Sequence, residues 1–197
     1  SETFEGEDQL SKLTTLAKGT ENVLRQMSNR LESVLFTSSG VAYGRSNGES
    51  MSETGFYNLD PTDQGSALAI GKINAEFLIS YFSKKFEYNY SIARCFSFAG
   101  EFLPLDIHYA FGNFIRDAVS GSDIFIKGNG LAQRSYLYIG DAMSWLLCLL
   151  ENPSNRVFNV GSEYAISVRA LAELIAERAP LRPKVYVQGS APQDGNF

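Results

Sequence analysis

Residues 33–44 read SVLFTSSGVAYG, an apolar run that passes directly into small residues, serines and glycine. The apolar part, at 33–36, has the composition of a short strand. A second such run, YSIARCF at 90–96, alternates around a β-branched Ile and predicts the next strand. Between them, residues 68–82 carry apolar side chains at helical spacing. A strand, a helix and a strand in this order predict two parallel strands joined by a right-handed crossover.

The rest of the chain continues this alternation. Helices are predicted at 8–30, 111–119, 141–150 and from Ser167 to just before Pro180, and strands at 123–127, 156–160 and 184–187. Asp141 is expected to cap its helix, and residues 44–62, with Gly, Ser, Asn, Asp and Pro, to form a long loop. The sequence therefore predicts an α/β fold with a doubly wound parallel sheet.

Composition limits the classes of function. Charged residues make up 20% of the 197 residues, and the net charge is −5. A basic surface that could neutralise nucleic-acid phosphates is therefore not expected. The longest strongly apolar run, at 145–150, is far too short to cross a bilayer. No basic segment precedes an apolar one at the start, so no signal peptide is predicted and the protein is expected to be soluble and cytoplasmic.

Cysteine and histidine are scarce. The two cysteines, Cys95 and Cys148, lie in apolar stretches and are predicted to be buried thiols rather than a disulfide. The single histidine, His108, has no nucleophile motif near it, so Ser-His-Asp catalysis is not indicated. One histidine and two separated cysteines cannot form a structural zinc site, and no metal is expected.

Four segments of the chain resemble one family, in the same order. They are FTSSGVAYG at 36–44, RCFSFAG at 94–100, GNG at 128–130 running to RSYLYIGD at 134–141, and FNVG at 158–161 with the helix after Ser167. The chain is thus similar, over nearly its whole length, to the NAD-dependent epimerase/dehydratase family. These extended short-chain dehydrogenase/reductases include nucleotide-sugar epimerases and dTDP-glucose 4,6-dehydratase-like proteins. The resemblance implies a Rossmann-like sheet, a nucleotide-sugar substrate and NAD as cofactor, with NADP as an alternative.

The same resemblance implies a domain organisation. Residues 1–100 would be the C-terminal part of a dinucleotide-binding domain, and residues 101–197 mainly a substrate-binding portion, truncated at its end. No Gly-x-Gly-x-x-Gly turn occurs in the sequence, so the loop that cradles cofactor phosphates is expected to be absent from these residues. Many family members form dimers through the helices that correspond to 8–30 and 66–82. A homodimer is therefore one interpretation of these apolar stripes, and packing on the sheet is the other.

Five residues are candidate site residues. The resemblance implies Ser39 and Lys72 as catalytic residues, Lys72 and Phe96 as cofactor contacts, and Ser39, Ser97 and Arg134 as substrate contacts. The position of Ser39 fits this independently, because ligands of doubly wound sheets lie beyond the carboxyl ends of the strands. The guanidinium of Arg134 matches diphosphate oxygens in geometry and charge. Alternatively, Ser39 is an exposed loop serine and Lys72 a solvated lysine. Arg134 would then be a surface partner of Asp141 or of a nearby Glu.

Three positions depart from the family pattern. Leu68 stands four residues before Lys72, where the family's Tyr-x-x-x-Lys pair has its tyrosine. That tyrosine takes or gives the proton of the sugar hydroxyl as hydride moves to or from NAD, and leucine can do neither. Leu16 stands where the family has an asparagine that braces the active site, and Ser97 replaces a substrate-facing asparagine.

These departures leave more than one hypothesis open. Tyr43 and Tyr57 are other phenols, but neither has helical spacing to Lys72. The first hypothesis is an epimerase or 4,6-dehydratase, with or without impairment at Leu68. The second is a non-catalytic nucleotide-sugar-binding or interaction protein on the same scaffold. The third is a fragment whose parent is active through other residues.

Overall fold

The computed structural model describes residues 8–27, 30–44, 50–55, 57–105 and 109–189, and His108 lies outside them. The helices are α1 (Gln9–Met27), α2 (Ala67–Phe86), α3 (Ala110–Ser120), α4 (Ile139–Glu151) and α5 (Val168–Arg178). The strands are β1 (Ser33–Ser39), β2 (Asn89–Cys95), β3 (Ser97–Ala99), β4 (Ile124–Ile126), β5 (Gln133–Tyr138), β6 (Arg156–Val160), β7 (Ala165–Ser167) and β8 (Val185–Val187).

The strands pair in three groups. The first is a three-stranded sheet of order β1-β2-β6, parallel throughout. The second has the order β3-β5-β7, in which β3 and β5 are parallel and β5 and β7 antiparallel. The third is the parallel pair of β4 and β8. The predicted α/β fold with parallel strand pairing is confirmed, and the β5–β7 pair is an antiparallel addition to it.

The chain divides into two compact units, and each unit is assembled from more than one segment of the chain. Unit 1 contains Ser1–Phe96 and Ala142–Val160, and so holds the sheet β1-β2-β6 with α1 and α2. Unit 2 contains Ser97–Asp141 and Gly161–Asn196, and holds the other strand groups with α3 and α5.

The core of unit 1 lies where α1 and α2 meet the sheet. Its buried members are Leu24, Ile79, Phe82 and Tyr88. The two helices approach closely at Gly71, where a Cβ would lie 2.8 Å from Cδ1 of Leu16. α2 continues to Phe86, four residues beyond the predicted end, before Glu87 adopts a left-handed conformation with φ of 58°.

The core of unit 2 lies between α3, α5 and strand β4. Its buried members are Phe114, Ala118, Ile124, Ile126, Leu171, Ala172 and Ala176. The predicted start of α5 is confirmed, because the Ser167 side chain accepts a hydrogen bond from the backbone N–H of Ala170 at 3.0 Å. The helix ends at Arg178, before Pro180, as predicted.

α4 corrects two expectations. It begins at Ile139, so Asp141 lies within its first turn and does not cap it. The cysteines are free thiols, as predicted, but Cys148 on α4 is exposed and Cys95 is half-buried. Cys148 is exposed because little of α4 is covered, and Ala142 is the one residue of this helix that is fully buried. An apolar helix sequence therefore does not by itself indicate burial. Within the described ranges, no helix is long and apolar enough to cross a membrane.

Candidate functional site

The carboxyl ends of β1 and β2 lie side by side. Ser39, the last residue of β1, is the register partner of Cys95, the last residue of β2. Phe96 follows directly, and a Cβ on Gly40 would lie 2.8 Å from its ring. A side chain at position 40 would therefore displace this ring, so the glycine allows Phe96 to pack beside the end of β1.

Ser39 occupies a defined position at the strand end. Its side chain is half-buried, and its Oγ accepts a hydrogen bond from the backbone N–H of Val41 at 3.3 Å. It thereby caps the short 3-10 turn Gly40–Tyr43. The alternative of an exposed loop serine is wrong, because Ser39 belongs to a strand and is partly covered.

Lys72 reaches the same end of β1 from α2. Its Nζ donates a hydrogen bond to the carbonyl oxygen of Thr37 at 3.0 Å and lies 5.1 Å from the centre of the Phe36 ring. Burial lowers the pKa of Lys72, while the charges of Cys95 and Glu76 act in the opposite direction. The ammonium is thus held within two residues of Ser39, and Lys72 is not a freely solvated lysine.

Leu68 is the second residue of α2, one turn before Lys72. It is half-buried and lines a cavity of about 230 Å³ together with Val41, Asn58 and Leu59. Neither Ser39 nor Lys72 is among the residues that line this cavity. Leu68 therefore contributes an apolar wall to a space next to the turn that follows Ser39.

A buried ion pair lies behind these residues. Arg94 of β2 is 2% exposed, and its Nε and Nη2 donate to the two carboxylate oxygens of Glu76 at 3.0 and 2.6 Å. Ser38 donates to the same carboxylate at 2.5 Å. Burial alone would lower the pKa of Arg94, but the interactions with Glu76 and Tyr43 together outweigh burial and raise the pKa. The sequence carries one signal of a buried arginine, its position beside two apolar residues in the strand predicted at 90–96.

The two alternative phenols belong to this buried network. Tyr57 Oη accepts a hydrogen bond from Arg94 Nη2 at 2.7 Å. Tyr43 is buried, and its hydroxyl donates to Oδ1 of Asn159 at 2.7 Å. The Arg94 guanidinium lies 4.6 Å from the Tyr43 ring centre and 5.2 Å from that of Tyr57. Both rings thus help to enclose a buried cation.

The other two candidates, Ser97 and Arg134, belong to unit 2. Ser97 begins β3 and pairs with Tyr136 of β5. Arg134 is half-buried, and its Nη1 donates to the carbonyl oxygen of Gln133 at 2.8 Å. In the described part of the chain it forms no ion pair with Asp141 or another acidic side chain. Burial raises the pKa of Tyr136, opposed by the charge of Arg134.

Two candidate cofactor residues lie at the carboxyl ends of the parallel strands, the edge at which doubly wound sheets bind dinucleotides. The Lys72 ammonium, fixed at the carboxyl edge of the sheet, could donate to ribose hydroxyls, and the Phe96 ring beside Gly40 could contact a nicotinamide. The sequence holds no Gly-x-Gly-x-x-Gly segment, the element that usually binds the diphosphate of a dinucleotide. Across the described ranges, no three His, Cys, Asp or Glu side chains cluster as metal ligands would.

Sequence comparison gives a consistent result. A sequence model of the NAD dependent epimerase/dehydratase family matches residues 6–161. UDP-glucuronic acid decarboxylase 1 of Arabidopsis thaliana is 28% identical over 165 residues, covering 84% of this chain and 38% of that protein. UDP-glucuronic acid decarboxylase 6 of the same plant is 26% identical over 170 residues, covering 86% and 49%. The chain therefore spans about half the length, or less, of these curated relatives.

Solved structures share the fold. UDP-glucose 4-epimerase of Thermotoga maritima, solved with UDP-glucose, has a TM-score of 0.75 and 21% identity, covering 96% of this chain and 60% of that one. UDP-glucuronic acid 4-epimerase of Bacillus cereus, in complex with UDP-glucuronic acid and NAD, has a TM-score of 0.74 and 21% identity, covering 91% and 56%. At these identities the likeness establishes the architecture.

Proposed function

The chain belongs to the NAD-dependent epimerase/dehydratase family, and on this premise we propose that it is part of an enzyme acting on a UDP-linked sugar with NAD. The curated relatives are named for UDP-glucuronic acid, and a structural neighbour was solved with a UDP-sugar and NAD. Because the chain covers 38% and 49% of those two relatives, the proposal concerns a complete protein of which these residues would form a part.

The observation that carries the proposal is the location of both Ser39 and Lys72 at the carboxyl end of β1. Lys72 Nζ binds the carbonyl of Thr37 at 3.0 Å, and the Ser39 hydroxyl is partly covered at the end of the same strand. A hydroxyl and an ammonium so placed can orient a sugar hydroxyl and favour its deprotonated form. Orientation and positive charge of this kind support hydride transfer to or from a sugar carbon, which also needs a group to carry the hydroxyl proton.

Each residue would have a separate role. Ser39 would hydrogen-bond the sugar hydroxyl, and Lys72 would hold the cofactor ribose and supply positive charge beside the reacting group. Phe96 would contact the nicotinamide, and Ser97 and Arg134 would bind the substrate, the latter at its diphosphate. NAD, when bound, would take up or return the hydride. Residues 1–100 would thus serve mainly the cofactor and residues 101–197 mainly the sugar nucleotide.

Turnover of UDP-sugars by the complete protein tests this proposal. UDP-glucose and UDP-glucuronic acid would be incubated with NAD, and the products separated by chromatography as epimers, dehydration products or decarboxylated sugars. Lys72→Met and Ser39→Ala should each lower kcat at least tenfold. Lys18→Met, at an exposed lysine of α1, is the matched control and should leave kcat unchanged. The proposal fails if no UDP-sugar binds or reacts.

One observation favours a second function. Leu68 stands one turn before Lys72 and carries no ionisable group, so the proton of a sugar hydroxyl lacks the phenol that the family uses. A protein that binds a nucleotide sugar without converting it would be consistent with this position. Binding of UDP-sugars without any product, under the same conditions, would select this second function.

A further inference from the structure

Three polar residues form a row across the first sheet. Ser38 of β1 is the register partner of Arg94 of β2, which is in turn the partner of Asn159 of β6. Register partners of parallel strands project on the same face of a sheet, so these three side chains lie next to one another. Ser38 and Arg94 are buried, at 4% and 2% exposure.

Glu76 of α2 closes this row from the helix side. It is 7% exposed, and its carboxylate binds Ser38 Oγ at 2.5 Å and Arg94 at 2.6 and 3.0 Å. Burial of two charges is costly even when they are paired. Apolar residues of similar volume in the same place often stabilise a fold equally well or better. Stability alone therefore gives little reason for this pair.

The location of the pair suggests another reason. Ser38 immediately precedes Ser39, and Glu76 follows Lys72 by one helical turn on the same face. α2 is consequently tied to the end of β1 by two adjacent contacts, from Lys72 to the Thr37 carbonyl and from Ser38 to Glu76.

We propose that Glu76 and Arg94 are positioning residues, which hold Lys72 and Ser39 in fixed relative places at the ends of β1 and β2. This inference rests on the proposed function, which gives Ser39 and Lys72 their roles. Arg94 bridges the strands to the helix, and the Tyr43 and Tyr57 rings enclose it. Asn159 extends the same support to β6 by accepting from the Tyr43 hydroxyl and donating to the Met51 carbonyl.

The reactivity of Lys72 provides a test that needs no substrate. Trace acetylation of the 197-residue chain at pH 7.5 would be read by mass spectrometry and normalised to the exposed Lys18. Glu76→Gln should raise Lys72 acetylation severalfold, because the carboxylate no longer favours the ammonium form and the contact with Ser38 is weakened. Cys95, the other group whose charge raises the pKa of Lys72, is unchanged in every variant.

A double variant separates positioning from stability. Glu76→Leu with Arg94→Met removes both charges and should regain the urea midpoint that Glu76→Gln loses. Lys72 acetylation should nevertheless stay several times above wild type. Acetylation that returns to the wild-type rate together with stability would overturn the proposal, as would an unchanged rate in Glu76→Gln.

Two further variants complete the experiment. Glu173→Gln, which breaks the exposed pair with Arg169, is the matched control and should not affect Lys72. Ser38→Ala keeps the ion pair and should raise acetylation by a smaller factor, so it decides the question if the charge variants do not fold. A wild-type rate in Ser38→Ala would then overturn the proposal. If the complete protein binds no UDP-sugar but the variants show the expected acetylation, only the proposed function fails. If the variants are acetylated at the wild-type rate while the complete protein turns over a UDP-sugar, only this inference fails.

Discussion

The carbonyl oxygen of Pro104 lies 2.5 Å from the point that a Cβ on Gly112 would occupy. Gly112 is buried in the first turn of α3, and the Cα of Leu105 would lie 3.3 Å from the same Cβ. Both neighbours are backbone atoms, so they cannot move aside by a change of rotamer. The glycine is what allows residues 104–105 to cross α3 at this distance.

We therefore predict that Gly112→Ala lowers the free energy of unfolding by about 1–3 kcal/mol, because overpacking exceeds the gain in helix propensity. Gly19→Ala is the matched control, since Gly19 also lies in a helix but has no atom within 4 Å of its would-be Cβ. It should stabilise the protein by about 0.5–1 kcal/mol. Equal urea midpoints for the two variants would contradict the prediction.

Leu68 offers a test of the missing phenol. In the complete protein, Leu68→Tyr should raise UDP-sugar turnover, by up to ~10²–10⁴-fold if the hydroxyl acts as general acid and base. Leu68→Phe adds the ring without the hydroxyl and should give no such increase. A wild-type enzyme that is already fast and is slowed by Leu68→Tyr would show that another group carries the proton. Steady-state kinetics on all three forms provide the measurement.

Arg134 should contribute to nucleotide-sugar affinity through its fork of donors. Arg134→Ala is expected to weaken binding by about 1.5–3 kcal/mol, the range for hydrogen bonds to charged groups. Arg134→Lys should recover only part of this, because lysine cannot bind two oxygens side by side. Arg169→Ala, in an exposed pair of the same unit, is the control. Calorimetry showing unchanged affinity in Arg134→Ala would assign Arg134 to the surface.

NAD binding should be weak in the 197-residue chain alone. Lys72 and Phe96 could contact the nicotinamide side, but no Gly-x-Gly-x-x-Gly segment is present to hold the diphosphate. Titration calorimetry with NAD and with NADP would measure this directly. A dissociation constant in the low micromolar range, about −8 kcal/mol, would show that other residues hold the phosphates.

Tyr88 should make stability fall at alkaline pH. Burial raises its pKa from 10.0 to about 12, so the folded state retains a proton that the unfolded state loses between these values. The corresponding stability is complete below pH 10 and is lost as the pH rises towards 12, up to about 2–3 kcal/mol.

Tyr88→Phe removes this dependence. At neutral pH it should cost about 1 kcal/mol, because the hydroxyl donates to the Ile79 carbonyl at 3.1 Å. Between pH 10 and 12 its urea midpoints should then fall less steeply than those of the wild type. Tyr164→Phe, at a side chain 84% exposed, should retain the wild-type slope. Identical slopes for Tyr88→Phe and wild type would refute the prediction.

Local signals in the sequence were sufficient for much of the fold. β6 was predicted with its observed ends, and Ser167 was recognised as the start of α5, because capping and strand alternation act over a few residues. The strands β3, β5 and β7 were not predicted. β3 (SFA) and β7 (AIS) form because a partner strand lies beside them, and they lack the run of β-branched and aromatic residues that indicates β4 (IFI) and β8 (VYV) in the sequence.

Some residues of the candidate site could be predicted from the sequence, and others could not. Ser39 and Lys72 could be proposed from motif spacing, and the structure brings both to the end of β1. The Glu76–Arg94 pair could not be predicted, because its two residues are 18 positions apart and meet only through the packing of α2 on β2. Exposure of Cys148 was also missed, since an apolar helix sequence does not specify which elements cover it.

The division of each unit into separate segments affects how the chain can fold as it is synthesised. β1 and β2 are synthesised before the first segment of unit 2, whereas β6, the third strand of their sheet, follows that segment. The sheet behind Ser39 and Lys72 must therefore wait for a late, long-range pairing, which slows folding. A chain cut after Phe96 would separate β2 from β6 and leave Tyr43 without its Asn159 acceptor. Each unit can therefore be completed only after a segment of the other unit has been synthesised.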